Sequence, residues 1–414
     1  RLTSFAEPTL VTKPFVIHVD AERGFSGGEV QVFHLMRGLR EDGFEQLLVA
    51  TPASEAAEQA RVEGFDVAEV AMRNSGDVSA VCRLRRVFQA HHSSAGLVIQ
   101  LHTGRATWLG AWAAAGLGAF VVSTRRMDRR VKRGLGTRLL YTRLVDRVVA
   151  ISGPVRDCLV QGGVASHRIQ LIHDSVLLAE LVHENPAAAR KEQRAELGID
   201  EDEFVGLVLS RLHARKGIDV LLKAIERLAN RAGLEALRRR NTRASKSARK
   251  RSQTTIHDER IDPEESIRIV IAGDGPERDA LEAQARDLTT PDAVTFLGNR
   301  SDKAALLAMC DVLVLPSHQE GLGVAALEAM GASRAIIASR VGGLAETVIE
   351  DRTGLFVEPG DVDGLADALE RLAADRSMCR KLGAGGPGRL SEGFLTHQMV
   401  AAYVELYCES STSA

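Results

Sequence analysis

The sequence predicts an α/β protein of two doubly wound, Rossmann-like domains facing across a cleft, and three observations predict it. Short apolar runs of strand length alternate with amphipathic helical stretches along nearly the whole chain, as in parallel sheets covered on both faces. That alternation pauses once, at Leu177–Arg194, and then restarts. The chain also has 414 residues, too many for one hydrophobic core and well suited to two domains of ordinary size.

In the first half the expected strands are Phe15–Val19, Gln46–Ala50, Leu97–Leu101, Ala119–Ser123 and Arg147–Ile151, with helices such as Glu29–Glu41 and Val78–Ala90 between them. The longest apolar stretch, Trp108–Val122, falls short of the roughly 20 residues that a membrane-spanning helix needs. Its Gly116 and Gly118 read as a helix end before a buried strand. The pause at 177–194 is polar and alanine-rich and contains Pro186, so 179–200 is expected to be an interdomain linker between domains at 1–178 and 201–388. In the second half the expected strands are Phe204–Leu209, Arg268–Ala272, Val294–Leu297, Val312–Leu315 and Ala335–Ala338. Helices are expected at Ile218–Ala229, Glu277–Arg286 and Ala325–Met330, and a C-terminal helix and tail, 389–414, is expected to cross back to the first domain. Arg238 to Arg251 is dense in Arg and Lys, and apolar periodicity is lost as far as Glu264; 236–264 reads as a basic surface insertion, most simply a solvated loop.

Composition narrows the function. Lys and Arg number 53 against 55 Asp and Glu, a near-neutral balance that argues against a general nucleic-acid binder. Cys82, Cys158, Cys310, Cys379 and Cys408 are scattered, with no C-x-x-C pair, so neither a zinc site nor a disulfide framework is indicated and a reducing cytoplasm is the simplest setting. No signal-peptide pattern opens the sequence, although it begins at Arg1 rather than Met.

In doubly wound sheets ligands sit beyond the carboxyl ends of the strands, so the residues that follow each strand carry the chemistry. After Phe204–Leu209 come Arg211 and, at the start of a helix, Lys216: two cations beside free backbone N–H groups suit a diphosphate, although either alone reads equally well as a loop cation. After Val312–Leu315 comes Pro316-Ser317-His318-Gln319-Glu320-Gly321-Leu322-Gly323, opening a helix that contains Glu328. Its glycines allow close backbone approach, and the helix start offers N–H groups to an anion. Glu320 and Glu328 lie about 12 Å apart by helix rise, a span suited to gripping hydroxyls on opposite sides of a diphosphate. Glu320 could instead be a cap, but Glu328 sits inside an apolar run where a surface role is harder to sustain.

These segments, taken in order, resemble the donor-binding domain of retaining glycosyltransferases of family 4, which have the GT-B fold. They are Ser210–Gly217 (SRLxxxKG), Ala272–Glu277 (AGDGPE), Leu315–Met330 and Ala338–Glu346. The family's E-x7-E pair matches Glu320 and Glu328. The resemblance implies that Arg211 and Lys216 hold the donor diphosphate, Glu320 meets the donor sugar and Glu328 the ribose. It also implies that Gly321, Leu322 and Gly323 present backbone N–H groups, with Gly273 in the donor site and Gly298, Asn299 and Arg300 near the base. In the first half, Gly27-Gly28 resembles the family's glycine-rich loop beside the phosphates, and His102 stands where relatives carry a histidine facing the reacting sugar. By itself either feature reads as a turn or a structural histidine.

The sequence departs from the family's pattern at His173-Asp174-Ser175, where Pro-Asn-Gly is common, and at Ser123-Thr124-Arg125-Arg126, where many relatives have a His-Asp pair. The basic run that includes Arg125, Arg126, Arg129 and Arg130 is a candidate contact for a phosphorylated acceptor or an anionic membrane, a solvated face being the simpler reading. The resemblance implies transfer of a hexose from a UDP- or GDP-sugar, with retention, to a glycan, lipid or small-molecule acceptor in cell-envelope glycan synthesis. From the cysteines and the basic run, the expected setting is cytoplasmic, with peripheral contact at the inner face of the membrane. No Asp-x-Asp sequence with neighbouring ligands is evident, so no metal or other cofactor is expected. The rivals are a nucleotide-sugar epimerase of the same fold and a non-catalytic nucleotide-sugar-binding protein. A nicotinamide dehydrogenase is disfavoured, because no GxGxxG follows the first strand and Gly273-Asp274-Gly275-Pro276 has the wrong spacing.

Overall fold

The computed structural model describes residues 13–91, 96–129, 131, 134–247 and 267–409. The chain divides into two compact units, one reaching to Ser175 and resuming at Leu395, the other Val176–Phe394.

The first unit is a parallel sheet of β1 (Phe15–Val19), β2 (Gln46–Ala50), β3 (Asp66–Glu69), β4 (Leu97–Leu101), β5 (Phe120–Arg125), β6 (Arg147–Ala150) and β7 (Ile169–Leu171), in the order β3-β2-β1-β4-β5-β6-β7. The central strands are buried along almost their whole length, which is why they read as unbroken apolar runs. The helix Gly27–Glu41 follows β1; its first turn is closed by Glu29, whose carboxylate accepts from both the backbone N–H and the hydroxyl of Ser26 at 2.6 Å. The C-terminal helix Thr396–Glu409 packs on this unit, joining Met399, Val400, Tyr403, Leu406 and Tyr407 to Val16, Leu35, Leu39, Val98 and Val122 in one core. Gly38 lets the two helices touch: a Cβ there would lie 2.3 Å from a methyl of Val400. The apolar stretch at 108–122 resolves into the end of the helix Gly104–Ala114 and the start of β5, and among the described residues no helix is long and apolar enough to cross a membrane.

The second unit is a parallel sheet of β8 (Phe204–Leu209), β9 (Ile267–Ala272), β10 (Val294–Gly298), β11 (Val312–Leu315), β12 (Ala335–Ser339) and β13 (Gly354–Val357), ordered β10-β9-β8-β11-β12-β13. In each unit the strand order reverses beside the first strand, at β1/β4 and at β8/β11, and so creates a crevice at the carboxyl edge.

Two expectations are corrected. The 179–200 segment is part of the second unit: its helix Pro186–Glu196 packs on the helix Lys303–Met309 and supplies Arg190 and Arg194 to Asp311. The helix expected at 218–229 runs from Ile218 to Ser247, so the first part of the 236–264 insertion is helical, in keeping with the helix propensity of Ala, Arg and Lys. The remainder, 248–264, lies outside the described residues.

Candidate functional site

The loops at the carboxyl edge of the second sheet lock together through glycines. Gly273 has φ +140°, and a Cβ on it would lie 1.9 Å from the carbonyl oxygen of Ser210; its N–H donates to Gly298 O at 2.7 Å. Gly217 has φ +63° and passes so close to the next loop that a Cβ would lie 2.0 Å from Pro316 O, while the His318 N–H donates to Arg215 O at 2.8 Å. Any side chain at either glycine would force these loops apart. The loops that follow β8 and β11, on the two sides of the switch point, therefore form one rigid ledge.

On that ledge the Lys216 ammonium donates to Glu320 Oε2 at 2.5 Å, with both side chains largely buried, and the Ser317 hydroxyl approaches the same oxygen at 3.4 Å. Gly343 N–H holds the Glu320 carbonyl at 3.0 Å. Gly323, at φ +89°, ends the loop and caps the helix Val324–Gly331. The N–H groups of Leu322 and Gly323 donate to no acceptor among the described residues, so the helix start keeps unspent donors. Arg211 is exposed on the neighbouring loop and pairs with no described residue.

The other candidates are placed differently. Glu328 is buried on the helix and receives the Lys303 ammonium at 2.7 Å, a partner that sequence reasoning missed. Arg300 is held bidentately by Asp302, at 2.8 and 2.6 Å, and donates to Gln193, so its guanidinium is turned toward the helix Pro186–Glu196. Asn299 follows Gly298, whose φ of +70° turns the chain after β10.

In the first unit His102 follows β4 and its N–H donates to Val19 O at 3.0 Å, which sets it beside the end of β1. Its Nε2 lies 3.0 Å from Nδ1 of His18, and its Nδ1 is buried with no partner among the described residues. Burial, followed by the charge fields of His18 and Arg126, holds its pKa well below the ordinary imidazole value; burial takes His18 down to about 4. Both rings are therefore neutral at pH 7. Asp20, just after β1, is also buried, with Oδ2 unpartnered and the carboxyl pushed up to about 6, chiefly by desolvation. Gly27 and Gly28 begin the helix at this edge, with nothing within 4 Å of a Cβ on Gly27.

The basic run divides. Arg126 turns inward, donating to Asp174 Oδ1 at 3.1 Å and to His102 O at 3.4 Å, and so is no surface contact: a buried carboxylate captures it. Arg125 donates to Arg129 O, while the side chain of Arg129 is exposed; Arg130 lies outside the described residues. His18, Asp20 and Asp174 were missed because an ionisable residue in or beside an apolar strand gives no local sign of a partner many residues away.

Two family models match the sequence, Glycosyltransferase Family 4 over residues 25–179 and Glycosyl transferases group 1 over residues 254–389. The N-acetyl-alpha-D-glucosaminyl L-malate synthase of Bacillus anthracis is 34% identical over 148 residues, which is 36% of this chain and 39% of that protein. The GDP-mannose-dependent alpha-(1-6)-phosphatidylinositol monomannoside mannosyltransferase of Mycobacterium tuberculosis is 34% identical over 208 residues, 48% of this chain and 46% of that protein. The matched stretches thus span less than half the length of either relative. Among solved structures, HepE of Anabaena in complex with UDP is 18% identical with a TM-score of 0.76, covering 95% of this chain and 99% of that one, a likeness of fold.

Proposed function

Because the chain belongs to glycosyltransferase family 4, with its two Rossmann-like domains of the GT-B class, we propose that it transfers a hexose from a UDP- or GDP-sugar, with retention, to a lipid-linked or polysaccharide acceptor at the cytoplasmic face of the cell envelope. The observation that carries this reading is the contact of Lys216 with Glu320 on a ledge of backbone donors. A cation and a hydroxyl acceptor one hydrogen bond apart fit a ligand in which a phosphate adjoins a sugar. As the donor bond breaks, Lys216, Arg211 and the helix start after Gly323 stabilise the charge on the departing diphosphate, with no further reorganisation. The acceptor oxygen attacks the anomeric carbon on the face the diphosphate leaves, and the departing phosphate oxygen takes its proton. With these cations in place the reaction is proposed to need no metal.

A panel of UDP- and GDP-sugars tests this. One donor is expected to raise the melting temperature, because a ligand of the native state stabilises it. The same donor is expected to release its nucleoside diphosphate when acceptor is present, undiminished by EDTA. Failure of every donor, or epimerised donor without transfer, would overturn the reading.

The envelope setting draws support from the first unit. Residues 129–145 contain Arg129, Arg130, Lys132, Arg133, Arg138 and Arg143 and no acidic residue. Leu135 is 88% exposed, Leu139 41% and Trp112 44%, and Trp108, one turn before Trp112, touches the Gly136 position. Arg129, Arg138 and Arg143 are exposed as Leu135 and Leu139 are, and an apolar and basic surface of these described residues suits an anionic bilayer. The protein is expected to sediment with vesicles containing phosphatidylglycerol and not with phosphatidylcholine alone. Joint Leu135→Asp and Arg138→Glu substitution is expected to weaken that binding at least about tenfold; unchanged sedimentation would contradict it.

A further inference from the structure

A stripe of buried polar side chains climbs diagonally across the first sheet. His18 on β1 is in register with Leu48 of β2 and with Gln100 of β4. Gln46 lies two residues before Leu48 and His102 two residues after Gln100, so Gln46, His18 and His102 share one face, stepped toward the carboxyl edge. All three are buried.

The direction of each hydrogen bond along the stripe follows from the one before it. The Met36 carbonyl can only accept, so the Gln46 atom 3.0 Å from it is the amide nitrogen. The other end, Oε1, then faces His18 Nε2 at 3.0 Å and must accept, which makes His18 Nε2 the protonated nitrogen. In a neutral ring this leaves His18 Nδ1 with a lone pair, and the His102 Nε2 at 3.0 Å must donate to it. His102 Nδ1 is then a bare acceptor, and it is the nitrogen with no partner among the described residues. A buried acceptor left empty is costly, whereas one completed by a ligand is a recognition element.

We infer that His18 and Gln46 are positioning residues that hold His102 as its Nε2–H tautomer, so that Nδ1 accepts a hydrogen bond from a hydroxyl of the bound sugar. The inference rests on the sugar-transfer reading for the identity of the ligand, though not for the tautomer. The opposite tautomer would present an N–H, to which a hydroxyl could bond only through its oxygen, so the relay fixes the direction of the bond and turns away groups that can only accept. Gln46 thereby acts on the site through two intervening rings and touches no substrate itself.

Nitrogen-15 NMR of the ring-labelled full-length protein tests this, with His102 assigned by comparison with His102→Gln. The spectrum is expected to show His102 with Nε2 protonated and Nδ1 bare, and Gln46→Leu is expected to convert it to a mixture of tautomers. Gln46→Glu, whose buried carboxyl must stay protonated to donate to the Met36 carbonyl, keeps an accepting oxygen opposite His18 and is expected to restore the single form. In kinetics Gln46→Leu is expected to lower kcat about tenfold, the loss of one hydrogen bond, with the affinity for free nucleoside diphosphate unchanged and with recovery in Gln46→Glu. An Nδ1–H form of His102 in the unaltered protein, or a Gln46→Leu protein with the original tautomer and rate, would overturn the inference. If no nucleotide sugar is turned over at all, the functional reading fails, while the spectra still decide the relay.

Discussion

Lys216→Ala is expected to lower turnover by about 10²–10³-fold, the usual consequence of removing one preorganised group that stabilises departing charge. The ammonium lies in a mostly buried contact with Glu320, so it meets little screening, and a diphosphate seated on the ledge would feel it strongly. Glu320→Gln separates two roles of the same contact. It frees Lys216 from its counter-charge and should tighten the binding of a nucleoside diphosphate. It should also cost turnover, because the carboxylate is proposed to grip the transferred sugar. Steady-state kinetics with the best donor, and calorimetry with the nucleotide alone, measure the two effects. Retained turnover in both variants would remove the assignment, provided circular dichroism shows the fold intact.

The largest effect on stability is expected at the other end of the same sheet. Asp311, just before β11, accepts from Arg190 at 2.9 Å, from Arg194 and Arg376 at 3.0 Å each, and from the backbone N–H of Val205 at 2.8 Å. Arg194 is 1% exposed and also donates to the carbonyl oxygens of Met309, Asp200, Glu201 and Glu203. Asp311→Ala would leave that guanidinium buried without its counter-charge, at an expected cost of about 3–5 kcal/mol. In urea the midpoint for the second unit should fall accordingly. Asp311 lies at the amino edge of the strands and the ledge at the carboxyl edge, so the fraction that stays folded should retain its turnover. A fall below about 1 kcal/mol would show that water or a neighbouring carboxylate replaces Asp311.

Both predictions draw on residues the sequence displays unequally. The ledge was readable because its glycines and charges lie in short segments next to apolar strands, where chemistry and spacing are read together. The interior strands were readable for the same reason. β3 and β7 lie at the edges of their sheet, and β13 at the edge of the other; β3 has only Val67 and Ala68 between acidic ends, and β7 has only three residues, so neither carries a long apolar signal. Arg194 looks like an ordinary helix-surface charge, and only folding brings Asp311, from far along the chain, into contact with it. Arg126 looks equally like its exposed neighbours until Asp174 claims it. The His18–His102 contact spans 84 residues and the helix Ile218–Ser247 overran its apolar pattern; local periodicity describes neither.

The first unit takes the helix Thr396–Glu409 from a stretch that is synthesised only after the whole second unit. Until then Leu35, Leu39 and Val122 have no cover from Tyr403, Leu406 and Tyr407, and Thr124 and Gln100 lack the tyrosine hydroxyls that reach them at 2.8 and 2.9 Å. On the ribosome the domain that begins first is thus completed last, and a nascent chain must shelter an unfinished apolar surface for the time taken to translate Val176–Phe394. A fragment cut at the first crossing would inherit that surface permanently, so an isolated N-terminal domain would need its distant helix grafted on to stay in solution.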